Sequence, residues 1–169
     1  MKNIFKHLCM AATALATIFT LSSFSLIDED EFDFEAILKS AAAEQDAECP
    51  IDIGEGMTME YVDILNHRLT YLISSPTYIV ESFNMLKEMD SAGTTKMMLE
   101  AMLEGGDEVA FLFLTCAEAN YGIEFIYKSN DGQQANIILS PKELSDTLND
   151  KYTEKELESI IYKLFESYM

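Results

Sequence analysis

The sequence predicts an α+β fold: two β-hairpins forming a four-stranded antiparallel sheet, covered by helices, with a helical C-terminus. Three observations carry that prediction. Two pairs of alternating apolar stretches are each joined by turn residues. Stretches of helical period separate and follow them, and two capping boxes mark the last helices.

The chain opens with Lys2 and Lys6 ahead of an uncharged apolar run from Leu8 to Ile27, with Ser23 and Ser25 as small residues before a cut at Leu26. This is the pattern of a secretory signal peptide over residues 1–25. An uncleaved anchor is the alternative, since some twenty uncharged residues can span a bilayer. Residues 26–47 are acidic and then alanine-rich, and read as a linker with some helical tendency. A single domain follows over 48–169.

Within it, "MTMEYVDIL" and "RLTYLI" alternate around Asn66 and His67, which predicts the first hairpin. Ile79, Phe83 and Leu86 then repeat at helical spacing after Pro76, and "SAGTT" interrupts the run. Met97, Met98, Ala101 and Met102 form a stripe ended by Gly105 and Gly106. "EVAFLFLTCAEAN" reads as a helix capped by Asp107, although its apolar run also suits a buried strand. "GIEFIYK" and "QANIIL" around Asp131–Gly132 predict the second hairpin. Ser140–Glu143 and Thr153–Glu156 are the capping boxes, and the last helix is amphipathic through Leu157, Ile160, Ile161, Leu164 and Tyr168.

Composition excludes some functions. The chain carries eleven Lys and Arg against thirty Asp and Glu, a net charge of −19. Loss of Lys2 and Lys6 with residues 1–25 makes it −21, with Arg68 and His67 as the last Arg and His. Such a surface repels nucleic acid and anionic lipid, which require clustered cations. The expected setting is periplasmic or extracellular, with no stable membrane span after signal cleavage.

Cys49 and Cys116 are the two cysteines of the mature chain, and an even count in an exported protein makes them a disulfide candidate. Closing that loop would contribute about 4 kcal/mol in the chain-entropy model. The other reading of Cys116 is a buried small hydrophobe on an apolar helix face. A Cys–His catalytic pair would have to use His67, which sits in a predicted turn, and no zinc-ligand spacing is present. Asp52, Glu55, Glu60, Asp63 and Glu124 raise carboxylate-based hydrolysis, which needs two carboxyls about 5–10 Å apart in a cleft. A solvated acidic face is the plainer reading. "SNDGQQ" lacks the calcium-loop spacing. The methionine stripe reads as core, as an adaptable ligand surface, or as a soft site for copper. Met97, Met98 and Met102, with Tyr71 and Tyr127 on the strands, are the ligand-surface candidates. No phosphate-binding loop, G-x-S-x-G elbow or H-E-x-x-H is present. No catalytic residue, metal or cofactor is expected, and the reading leans away from an enzyme.

"CPIDIGEGMTMEYVDILNHRLTYLI", with Thr70–Tyr71, and the later "AEANYGIEFIYKSNDGQQANIILSPKEL", with Ala119 to Gly122 and Phe125 to Tyr127, resemble small exported bacterial proteins of unknown function frequent in Bacteroidetes. The resemblance spans roughly residues 48–145. It implies an exported α+β domain of bacterial source and carries no catalytic residues. Cys116 stands outside its pattern. The leading expectation is therefore an exported, non-enzymatic domain that binds a partner protein or a small ligand through the sheet face or the Met-lined helices. A carboxylate hydrolase and a copper-binding protein are the alternatives.

Overall fold

The computed structural model describes residues 33–168, so the signal-peptide reading and its cut lie outside the described residues. In chain order the elements are α1 (Phe34–Glu48), β1 (Ile51–Gly54), β2 (Met57–Leu65), β3 (Arg68–Ser74), α2 (Thr77–Met102), a 3-10 turn (Leu103–Gly105), α3 (Asp107–Glu118), β4 (Gly122–Lys128), β5 (Gln134–Leu139), α4 (Pro141–Lys151) and α5 (Glu154–Tyr168). The fold is α+β, with five strands in the order β1-β2-β3-β4-β5 where four were expected.

The additional strand comes from "IDIG". It pairs antiparallel with β2 through a tight turn in which Glu55 (φ 54°) and Gly56 (φ 74°) both take the left-handed conformation. That two-residue turn matches the twist of the flanking strands. Asn66 (φ 52°) and His67 (φ 56°) make the same kind of turn between β2 and β3. A second correction concerns direction. β3 and β4 pair parallel, in register from Arg68 with Gly122 to Ser74 with Lys128. Parallel neighbours need a long crossover to bring the chain back to the starting end. The segments of α2 and α3 supply it, so the sheet is mixed.

Residues 34–47 are not linker. Asp33 caps α1 by accepting from the Ala36 N–H at 2.9 Å, and the helix buries Ile37, Leu38, Ala41, Ala42 and Gln45. These positions follow the helical period, and short alanines let α1 sit close to β2 and α3. The Asp46 carboxylate accepts from the Val62 N–H at 3.2 Å, occupying a donor on β2 beyond its pairing with β1. At the opposite edge, Asn84 and Lys87 of α2 donate to the carbonyls of Gln134 (3.2 Å) and Asn136 (2.5 Å) on β5. Both sheet edges are thus partly closed by side chains, which limits pairing with other chains.

α2 kinks at Asp90 (φ −158°, ψ 93°), whose carboxylate accepts from the Gly93 N–H at 2.9 Å and so caps the second segment. Gly106, not Asp107, is the cap residue of α3, and the whole "VAFLFL" stretch is helical. Both capping boxes form: Ser140 with Glu143 starts α4, and Thr153 with Glu156 starts α5.

The helices cover one face of the sheet. Leu69, Tyr71, Ile73, Ile123, Phe125, Tyr127, Ile137 and Leu139 point into that core. Tyr71 stacks on Phe125 with ring centroids 5.2 Å apart, and Phe83 of α2 meets Tyr127 at 4.5 Å. On the outward face Arg68 pairs with Glu124 at 3.2 Å. Gly122 begins β4 because a Cβ there would lie 2.7 Å from the Leu139 carbonyl oxygen.

Candidate ligand groove on the helical layer

Helices α3, α4 and α5, with the first residue of α1, enclose a groove of about 470 Å³. That is within the usual range of ligand sites. Each helix contributes one face. α3 supplies Leu114, Ala117 and Glu118, α4 supplies Ser145, Leu148 and Asn149, and α5 supplies Glu154, Leu157, Glu158 and Ile161. Residues three and four apart share a helix surface, so these spacings bring each set to one wall. The two capping boxes fix where α4 and α5 begin.

The floor is apolar: Phe34, Leu114, Ala117, Leu148, Leu157 and Ile161. Leu148 is buried, while Phe34, Leu114, Ala117, Leu157 and Ile161 keep partial exposure to the groove. The rim is polar and acidic. Glu118 stands on the α3 wall, Glu154 and Glu158 stand on the α5 wall, and all three are exposed. The Asn149 amide donates to the Ser145 hydroxyl at 3.4 Å. No Lys, Arg, His or Cys is among the lining residues. These groups can hold an apolar ligand and attract positive charge.

The residues singled out from sequence lie elsewhere. Tyr71 and Tyr127 are fully buried, and Met98 and Met102 keep 4% and 1% exposure. They pack the core and present no surface to a ligand, because the inward strand face and the covered side of α2 are one interior. Met97 is exposed at 43%, and Met85 and Met89, on the other side of the Asp90 kink, are exposed at 59% and 71%. The methionines therefore split between core and solvent. Of the carboxylates, Asp52 accepts from the Gly54 N–H, Asp63 from the Ile64 N–H, and Glu124 holds Arg68 and Asn136, while Glu60 is exposed. Among the described residues no group of three or more His, Cys, Asp or Glu is placed to hold a metal ion.

Cys49 and Cys116 are both free thiols, which corrects the expected disulfide. The Cys49 thiol is directed back onto its own helix, donating to the Gln45 carbonyl at 3.3 Å. Cys116 is wholly buried on α3. Burial pushes the Cys116 thiol far up, and burial together with Asp46, Glu60 and Glu48 raises Cys49. Since the thiolate is the reactive species, a thiol reagent at pH 8 is expected to modify Cys49 slowly and Cys116 only in denaturant. Equal, rapid labelling of both in the folded protein would contradict this placement. The sign for stability follows. A thiol held neutral in the fold ionises in the unfolded chain above about pH 8.5, so its contribution is present below that pH and is lost as pH rises.

The groove itself was missed in the sequence. Its signal was the coincidence of Leu114, Ala117, Leu148, Leu157 and Ile161 on helix faces that need not all meet. No protein-family model matches the chain. A comparison with curated proteins returns no match. Among solved structures the chain is similar to a Pseudomonas aeruginosa chain described as a "putative secreted protein", at 10% identity, with 70% of this chain and 98% of that one covered and a TM-score of 0.48. A likeness of that size adds nothing to the site, which rests on its own geometry.

Proposed function

We propose that the protein is an exported, non-enzymatic binding domain of the periplasm or cell exterior, and that its ligand seat is the groove between α3, α4 and α5. It is proposed to belong with the small exported bacterial proteins that its Cys-Pro and Ala-Asn-x-Gly stretches resemble. The signal-peptide pattern and the solubilising charge support export. The observation that carries the binding role is the groove: partly exposed apolar side chains from three helices share one recess under a polar rim. Orienting polar groups around an apolar floor is how ligand sites combine affinity with specificity.

The neutral dye Nile red is the test. It is expected to bind the purified protein saturably, and Ala117→Trp, which fills the groove, is expected to weaken binding about tenfold or more. Met85→Ser with Met89→Ser, on the exposed face of α2, is expected to leave binding unchanged. No saturable binding, or loss in the methionine variant alone, would overturn the groove as the seat.

A further inference from the structure

We infer that the occupant of this groove is a basic amphipathic helix of a partner polypeptide. The inference rests on the groove being the seat, and it adds the partner's chemistry. All three walls are helices that present residues at i, i+3 and i+4, so the space between them has the rows and gaps of a helix-packing surface. A further helix laid in it would place apolar side chains at i, i+3 or i+4, and i+7 against Leu114, Leu148, Leu157 and Ile161.

Charge then selects among helices. Acidic side chains rise on two walls, Glu118 from α3 and Glu154 and Glu158 from α5, and no basic residue lines the groove. A helix with Lys or Arg on both sides of its apolar stripe is complementary to that arrangement. Electrostatic complementarity of this kind excludes wrong partners and speeds encounter. The segment preceding α1 is itself acidic, from Asp28 to Asp33, and is repelled by the same rim. A second copy brings a net charge of −19 against the same sign. Anionic lipid is disfavoured for the same reason.

The probe is a fluorescent helical peptide with Leu at heptad core positions and Lys elsewhere, titrated by anisotropy with the protein. Two analogues accompany it, one with Glu for every Lys and one with Ser for every Leu. The Leu/Lys peptide is expected to bind saturably, and neither analogue to do so. Replacing Glu118, Glu154 and Glu158 by Gln is expected to weaken binding about tenfold. Moving to 0.3 M salt is expected to weaken it further. Replacing three carboxylates outside the groove, Glu48, Glu60 and Glu100, is expected to change it little.

Equal loss in both triple variants would mean diffuse attraction to an acidic protein, and would overturn the inference. So would binding of the Ser analogue as tightly as the parent. Light scattering of the free protein separates the remaining occupant: a dimer abolished by Ala117→Trp would assign the groove to a second copy. Nile red binding without peptide binding would leave the groove as a seat and remove the helix. Absence of both would remove the seat itself.

Discussion

Phe125→Ala is expected to lower the unfolding free energy by about 3–5 kcal/mol, read from urea denaturation followed by far-UV circular dichroism. Domains of this size are stable by about 5–15 kcal/mol, so the loss is a large share of the total. Phe125 is fully buried on β4, the strand whose parallel pairing with β3 joins the two hairpins. Its ring stacks on Tyr71 at 5.2 Å with the planes 13° apart, and it lies 6.4 Å from Tyr127. Truncation removes both aromatic contacts and leaves a cavity between the sheet and the helices that cover it. Tyr71→Phe is the matched control. It keeps the stack and deletes a buried hydroxyl that has no hydrogen-bond partner among the described residues, so stability is expected to stay level or rise. A Phe125→Ala loss under 1 kcal/mol would show that the aromatic seam is not the centre of the core.

Leu38→Ala is expected to cost about 2–5 kcal/mol in the same measurement. Leu38 is fully buried in α1, whose face is held between β2 and α3. The exposed neighbour Ala43, changed to Gln, is expected to shift stability by less than about 0.5 kcal/mol. The contrast separates a packed helix from a linker, because in a linker both substitutions would be silent. Equal and small effects at the two positions would return residues 34–47 to the linker reading.

The difference at α1 shows why that segment was hard to read. Its carboxylates, from Glu35 to Glu48, make the local composition resemble a solvated tail. Its buried face is built largely from Ala41 and Ala42, which give little apolar contrast. Small residues leave a weak periodic signal, yet they allow the closest helix approach. β2 was legible as a strand, but its facing was not. A bulge between Met59 and Tyr61 shifts the alternation, so Val62 and Ile64 turn inward where period two would have placed Tyr61 and Asp63. β1 was hidden because Glu55–Gly56 lacks the Asn or Asp that usually announces a two-residue turn.

The second hairpin and the capping boxes were fully legible, since their signals depend on residues a few positions apart. The groove was legible only in pieces. Leu157 and Ile161 belonged to an amphipathic face, but nothing local said that a few of those side chains would remain open to solvent. The same limit applied to Met98, Met102, Tyr71 and Tyr127. Their types suit either a binding surface or a core, and only what packs on them decides.

The sequence by itself determined the second hairpin, the starts of the last two helices and the acidic balance. Each follows from backbone preference, short-range hydrogen bonding or charge count, which act within a few residues. The tertiary structure decided the parallel join of β3 and β4, the capture of α1, the free state of Cys49 and Cys116, and the groove between α3, α4 and α5. Those depend on which faces meet across long separations, where the packing of one element against another selects among arrangements that local chemistry leaves equal.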